Sequence, residues 1–134
     1  MLKDWVDAQY TPKGVGIDCV HVSDLRAMDE RLGGAFVRRT FTPAELALAA
    51  HAADYWRFFA GRFAVKEEVY KALSCKQTNL FDLRIVETLQ REDGCPMILY
   101  SAALRSVLDR TGGRELLVSI AGEGDYVIAF AQII

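Results

Sequence analysis

The sequence predicts an α+β domain, with helices in the first half and hairpin-linked strands in the second. Apolar residues recur at three- and four-residue spacing in residues 25–32 and again in residues 56–73, a period typical of amphipathic helices. After residue 82, short apolar runs alternate with glycine-containing turns, which indicates antiparallel strands. Because helices and strands are segregated along the chain, α+β is favoured over a doubly wound sheet.

The N-terminal strand is expected over residues 14–22, an apolar run rich in β-branched residues. Ser23 is placed to cap a following helix, which Gly33-Gly34 closes. The strand is therefore predicted to lead directly into a helix.

A long helical region comes next. Thr42-Pro43-Ala44-Glu45 is typical of a helix start, because threonine caps, proline suits the first turn and glutamate completes a capping box. The helical period continues to residue 74, with a break expected near Asp54. Its broad apolar face comprises Trp56, Phe59, Phe63, Tyr70 and Leu73.

The second half is predicted to be mainly strands. We expect them at residues 83–89, 97–100, 116–121 and 126–134. Asp93-Gly94 is typical of a hairpin turn, and residues 122–125 join the last two strands. Ser101 caps a short helix that ends at Gly112-Gly113.

Length, composition and charge exclude several classes of protein. At 134 residues, with 51% hydrophobic and 25% charged residues, the chain suits one core and is short for two. No repeat or linker divides it, so residues 1–134 are interpreted as a single domain. The net charge of −2 does not favour nucleic acid, and no apolar run could span a bilayer.

The three cysteines, Cys19, Cys75 and Cys95, favour a reducing compartment. Their odd number and spacing fit neither a disulfide framework nor a zinc site. We therefore expect free thiols and a cytoplasmic location. A catalytic cysteine stays open as an alternative, because neither His21 nor His51 can be paired with one from the sequence.

Two acidic residues stand in unusual places. Asp18 lies inside the apolar N-terminal strand, and Glu67 lies at the edge of the aromatic helix face, one turn before Lys71. Together they suggest a site for Mg²⁺, which takes one or two carboxylates and fills its other positions with water and phosphate oxygens. Such a site suits phosphoryl transfer. Two alternatives remain. Asp18 could form a turn at the end of the strand, and Glu67 and Lys71 could form a surface ion pair that stabilises the helix by about 0.2–0.5 kcal/mol.

Four short motifs follow one another along nearly the whole chain. Val15-Gly16-Ile17-Asp18 comes first, and residues 59–67 (FAGRFAVKE) are followed by Lys71-Ala72-Leu73. Gly94-Cys95-Pro96 and Val118-Ser119-Ile120 come later. The set resembles the holo-acyl-carrier-protein synthase type of the 4′-phosphopantetheinyl transferase family. Its patterns are G-[IV]-D, F-A-G-R-[FW]-[AS]-x-K-E-x-x-x-K-A-[LFW], G-x-P and V-S-[IL]-[ST]-H.

The resemblance implies the 4′-phosphopantetheinyl transferase fold and a Mg²⁺-dependent reaction. Such enzymes move 4′-phosphopantetheine from coenzyme A onto a serine of an acyl carrier protein and release adenosine 3′,5′-bisphosphate. At the matching positions, Asp18 and Glu67 would hold Mg²⁺ against the pyrophosphate of coenzyme A. Glu67 would also help to deprotonate the serine, and Lys71 would stabilise charge on the pyrophosphate.

The resemblance also implies binding surfaces and an assembly. Contacts with coenzyme A are expected from Arg62, Lys66, Lys76, Ser119 and Gly122. The first helix would meet the acidic carrier protein through Arg26, Arg31, Arg38 and Arg39, although a solvated surface explains each arginine singly just as well. A homotrimer with active sites between subunits is the usual form of the family.

Three departures from the family pattern stand out. His21, three residues after Asp18, replaces a common glutamate and is a candidate for proton transfer. Ser74-Cys75-Lys76-Gln77 replaces a Gly-rich loop, so Lys76 would supply charge in place of backbone donors. Ala121-Gly122 replaces [ST]-H, which removes a hydroxyl and a ring expected near coenzyme A.

These departures leave two alternative functions open. A divergent member could act on an acyl group already tethered to phosphopantetheine, as a dehydratase or isomerase, with His21 or Lys71 as its acid or base. A non-catalytic module could simply bind the carrier protein. Only the transferase requires coenzyme A and Mg²⁺.

Overall fold

Helix α4 lies across a three-stranded antiparallel sheet, and the other described elements surround this pair. The structure is a computed structural model that describes residues 12–73 and 82–134. Its helices are α1 (Val22–Arg31), α2 (Ala35–Thr40), α3 (Pro43–Ala50), α4 (Tyr55–Leu73) and α5 (Ala102–Arg110). Its strands are β1 (Gly14–His21), β2 (Glu87–Gln90), β3 (Pro96–Leu99), β4 (Leu116–Glu123) and β5 (Tyr126–Ile133).

The sheet has the order β1-β5-β4, and β2 and β3 form a separate hairpin. Strand β5 pairs antiparallel with both neighbours along its whole length. Its buried residues alternate with exposed ones, so one face of the sheet meets α4 and the other is open. The predicted α+β class, with an N-terminal strand and a long central helix on an antiparallel sheet, is confirmed.

Several local predictions are also confirmed. Thr42 and Glu45 form the predicted capping box, and the break before α4 falls at residues 51–54. Ser101 caps α5, and the hairpin between β2 and β3 turns at Gly94, whose φ of 87° favours glycine. No helix in the described residues is long and apolar enough to cross a membrane.

Three local predictions were wrong. The first helix begins at Val22, and His21, not Ser23, occupies the N-cap position. Ser23 lies inside the first turn, where its amide donates to the Asp125 carboxylate at 3.2 Å. The strand expected from residue 83 begins at Glu87, because Leu83–Ile85 forms a 3₁₀ turn. Residues 35–40, for which no helix was predicted, form α2.

A buried ion pair between Glu45 and Lys66 links α3, α4 and the 3₁₀ turn. The Lys66 ammonium lies 2.9 Å from Glu45 Oε1 and donates to the carbonyls of Leu83 and Val86 at 3.1 and 2.7 Å. The Glu45 carboxylate also accepts from the Thr88 amide at 3.0 Å. Both charged side chains are fully buried. Burial lowers the pKa of Lys66, and the neighbouring Glu45 opposes that change.

We expect Lys66→Met to lower the free energy of unfolding by about 3–5 kcal/mol, because Glu45 would be left buried without its cation. The double variant Glu45→Gln with Lys66→Met should recover part of this loss. Chemical denaturation followed by circular dichroism measures both.

The control removes an exposed ion pair. Arg26→Met breaks the contact of Arg26 with Glu30 on α1 and should change the free energy of unfolding by no more than about 1 kcal/mol. Equal losses in Lys66→Met and Arg26→Met would contradict a stabilising role for the buried pair.

Candidate active site

Two glycines of β1 allow α4 to lie directly on the strand. A side chain at Gly14 would overlap the Ala72 carbonyl oxygen, and a Cβ at Gly16 would lie 2.5 Å from the Glu68 carbonyl oxygen. Neither glycine has a positive φ, so the requirement is space rather than backbone conformation. The glycine of the Val15-Gly16-Ile17-Asp18 motif therefore sets the distance between strand and helix.

Asp18, the next residue on this face of β1, meets Lys71 from α4. The Lys71 ammonium lies 3.4 Å from Asp18 Oδ2 and 2.9 Å from Glu68 Oε1. The hydrogen bond to Glu68 is the main cause that raises the pKa of Lys71; burial opposes it, and the nearby charges of Glu68 and Asp18 add to the rise. The ammonium is therefore held, fully charged, between the strand and the helix.

Glu67 lies beside this group and is half-buried. Burial raises the pKa of its carboxyl, Lys71 opposes the rise, and the charges of Asp18 and Glu68 add to it. The structure therefore brings Asp18, Glu67 and Lys71 close to one another. The alternative of a surface pair between Glu67 and Lys71 is replaced by other contacts, since the ammonium of Lys71 bonds to Asp18 and Glu68.

Glu68 is a member of this group that the sequence analysis missed. Its side chain is fully buried, although it follows Glu67 directly. A signal was available in the spacing: Ala64, Glu68 and Ala72 recur every four residues, so they share the narrow helix face that contacts the glycines of β1.

The carboxylates of Asp18 and Glu67 fit a hard divalent cation. Among the described residues, no group of three or more His, Cys, Asp or Glu is arranged to hold a metal ion. Mg²⁺ does not need such a group, because water and substrate phosphate can complete its coordination. The Lys71 ammonium on Asp18 already places a cation at this carboxylate. The site would thus suit Mg²⁺ in the presence of a phosphate-bearing substrate.

His21 lies away from these residues. It is three positions after Asp18, so strand alternation places its side chain on the open face of the sheet. Its ring nitrogens lie 3.2 Å from Asp24 Oδ2 and 3.0 Å from Asp125 Oδ2, and the ring stacks on Tyr126. The structure therefore does not bring His21 to Lys71.

Two residues predicted to contact coenzyme A, Lys66 and Arg62, lie on α4, and their surroundings differ. Lys66 is fully buried and holds Glu45, so it does not reach a surface where a ligand could contact it. Arg62 lies over the Phe58 ring at 4.0 Å. Its Nε and Nη2 are buried without an acceptor in the described part of the chain. Burial lowers the pKa of Arg62, and the nearby charge of Glu45 opposes this decrease. Lys76 falls outside the described residues.

Ser119 and Gly122 belong to β4 but face opposite sides of the sheet. Ser119 is exposed on the open face, where its register partner is Phe130 of β5. A Cβ at Gly122 would lie 2.6 Å from Arg57 Nη2, on the α4 side. Arg57 also donates to the Gly124 carbonyl. A guanidinium thus occupies the space next to Gly122, where the family pattern has a histidine.

The four arginines predicted to meet a carrier protein are all exposed. Arg26 is paired with Glu30 at 3.0 Å, and Arg31 lies in the last turn of α1. Arg38 and Arg39 end the short helix α2. The basic surface is therefore shared between two consecutive helices rather than carried by one.

Comparisons with known proteins agree on one family. The model of the 4′-phosphopantetheinyl transferase superfamily matches residues 14–131. A holo-[acyl-carrier-protein] synthase of Desulforudis audaxviator is 35% identical over 118 residues, which cover 88% of this chain and 89% of that relative.

Solved structures give the same result. The crystal structure of holo-[acyl-carrier-protein] synthase from Neisseria meningitidis matches with a TM-score of 0.84 at 28% identity, covering 92% of this chain and 99% of that one. The ACPS–CoA complex of Chronobacterium ammoniagenes matches with a TM-score of 0.78 at 27% identity, covering 90% and 95% of the two chains.

We expect Gly16→Ala to destabilise the protein by about 1–3 kcal/mol, because its methyl group would push α4 away from β1. The same displacement separates Asp18 from Lys71. Chemical denaturation measures the loss.

Gly61→Ala is the matched control on α4, since a Cβ there would lie 3.3 Å from the movable Ile120 Cγ2. The gain in helix propensity, about 0.5–1 kcal/mol, should offset this contact. If both variants were as stable as the parent, the strand–helix distance would not depend on Gly16.

Proposed function

The chain belongs to the 4′-phosphopantetheinyl transferase superfamily, and on that premise we propose that it transfers 4′-phosphopantetheine from coenzyme A to a serine hydroxyl of an apo acyl carrier protein. The observation that carries the proposal is the meeting of Asp18 and Lys71 beside Glu67, at positions that match two separate motifs of the family. The relatives named as holo-[acyl-carrier-protein] synthases, and the related ACPS–CoA complex, support the donor and the acceptor.

Each residue of the group has a part in this reaction. The serine oxygen would attack the pyrophosphate phosphorus that bears the pantetheine arm, and the bond to the bridging oxygen would break. Adenosine 3′,5′-bisphosphate leaves with that electron pair, and Glu67 takes the serine proton directly or through water. The raised pKa of Glu67 makes it a better base than a solvated glutamate. The ammonium of Lys71 stabilises charge that develops on the phosphate oxygens.

Asp18 and Glu67 are the residues that would hold Mg²⁺. When bound, the ion would neutralise charge on the pyrophosphate and help to orient it. We propose further contacts with coenzyme A from Arg62, whose buried donors lack a described acceptor, and from Lys76. Lys66 would support the site from the core.

The β4 edge completes the proposed surface for coenzyme A. A pocket of about 470 Å³ there includes Gly122, Ala121 and Cys19 among its lining residues, and Ser119 lies on the same strand. Arg57 provides a positive charge beside Gly122. A cation thus remains at this edge although the histidine of the family motif is absent.

The proposal includes self-association. The open face of the sheet exposes apolar side chains from β1 and β5, with Val15 at 60% and Ile17 at 67% exposure. Exposed apolar surface of this kind is typical of an interface. We propose a homotrimer with active sites between subunits, a carrier-protein surface on α1 and α2, and a cytoplasmic location that suits the free thiols of Cys19 and Cys95.

The two alternative functions have less support. An acid–base reaction on a tethered acyl group would use His21 or Lys71, yet His21 lies between two aspartates on the open face. A non-catalytic module has no need for the arrangement of Asp18, Glu67 and Lys71.

We expect Glu67→Gln to abolish transfer while leaving the fold intact, because the amide can neither accept the serine proton nor hold the cation. Incubation with coenzyme A, Mg²⁺ and apo carrier protein, followed by mass spectrometry, detects the added phosphopantetheine. Glu115→Gln, an exposed change before β4, is the control and should remain active. Full activity in Glu67→Gln would remove Glu67 from the mechanism.

We expect light scattering at micromolar concentration to give three times the 15.0 kDa mass of the chain. Val15→Lys places a charge on the exposed apolar face and should yield a folded monomer that has lost transfer. Met97→Lys, at an exposed position of the separate hairpin, should remain trimeric and active. A parent protein that is monomeric and fully active would rule out shared active sites.

A further inference from the structure

Glu68 is a fully buried carboxylate with only half of its hydrogen-bonding capacity used. Its Oε1 accepts from the Lys71 ammonium at 2.9 Å. Its Oε2 has no hydrogen-bond partner in the described part of the chain. That oxygen is packed on the backbone at Gly16, where a Cβ would lie 2.6 Å from it. Burying a carboxylate in this way is costly unless a charged partner offsets the cost.

Packing alone does not account for a glutamate at this position. Its neighbours on the same helix face, Ala64 and Ala72, are small apolar residues that pack well beneath the sheet. An apolar residue would fill the space without an unpaired oxygen, and such replacements of buried ionic groups are often neutral or stabilising. What the carboxylate adds at this position is therefore its contact with Lys71.

Lys71 needs an anchor because its side chain is long and half exposed. It lies in the last turn of α4, with 47% of its side chain in solvent. A free lysine samples many rotamers, and fixing it costs up to about 2 kcal/mol of entropy. Glu68 is rigid because it is buried, and Asp18 is the second contact of the same ammonium.

We propose that Glu68 is a positioning residue whose buried carboxylate holds the Lys71 ammonium at the Asp18 side of the site. The role rests on the proposed transferase function. Glu68 has no access to substrate and acts through Lys71. The ammonium of Lys71 is therefore already held in place when the phosphate groups bind. Glu67, its neighbour in sequence, faces the site itself.

The test separates positioning from folding. Glu68→Met keeps the length of the side chain and removes the charge, and Glu68→Gln keeps an acceptor for Lys71. We expect both variants to melt at or above the temperature of the parent. The kcat for transfer should fall roughly tenfold in Glu68→Met and less in Glu68→Gln, with KM for coenzyme A nearly unchanged, because Lys71 acts mainly on developing charge. Glu115→Met is the control and should match the parent.

A double-mutant cycle asks whether Glu68 acts through Lys71. In a Lys71→Met background, Glu68→Met should cause no further loss. An equal loss in both backgrounds, or an unchanged kcat in Glu68→Met, would overturn the proposal. A drop in melting temperature that parallels the loss of kcat in both variants would assign Glu68 to folding alone and overturn it as well.

A measurement that does not depend on turnover tests this proposal independently of the proposed function. In protein labelled with ¹⁵N-lysine, the ordered Lys71 ammonium should give its own resonance, assigned by its absence from Lys71→Met. That resonance should move towards the values of free lysines in Glu68→Met. If the parent transfers nothing but the resonance responds, the transferase function fails and the positioning stands. An unchanged resonance overturns the positioning.

Discussion

The direct contact between β1 and α4 is the constraint on which the candidate site depends. Gly14 and Gly16 remove the side chains that would otherwise separate the strand from the helix. Two residues further along the same face, Asp18 then meets Lys71, although 53 positions separate them in the sequence. A carboxylate and an ammonium from distant parts of the chain therefore share one small site without any loop to bring them together.

Two buried carboxylates serve different purposes around this contact. Glu45 accepts hydrogen bonds from the amides of Thr42 and Thr88 and pairs with a fully buried lysine, so its charge is compensated inside the core. Among the described residues, the Glu68 carboxylate is bonded to Lys71 alone, and the Lys71 ammonium faces the site. The first pair ties α3 to α4 and stabilises the fold, whereas the second transfers rigidity from the core to a solvent-facing cation.

Two departures from the family pattern, at His21 and Gly122, fall at the edges of the site rather than in its centre. Gly122 lacks a side chain, and the guanidinium of Arg57 lies in the adjacent space while it holds the Gly124 carbonyl. His21 joins Asp125 to the start of α1 instead of facing Asp18. The centre keeps its charges, and His21 and Arg57 both contact the β4–β5 turn.

The sequence by itself predicted most of the helices and strands and the residues proposed for the chemistry. The capping box at Thr42 and the turn at Gly94 follow from local patterns, because each depends on residues a few positions apart. Only the tertiary structure decided which neighbour faces which surface. Lys66, Glu67 and Glu68 are consecutive, and each residue is rotated by about 100° around the helix axis from the one before it. Their side chains therefore point to the core, the site and strand β1, respectively. Those surfaces come from residues far away in the chain, so a local spacing such as that of Ala64, Glu68 and Ala72 shows which residues share a helix face, but not which surface that face meets.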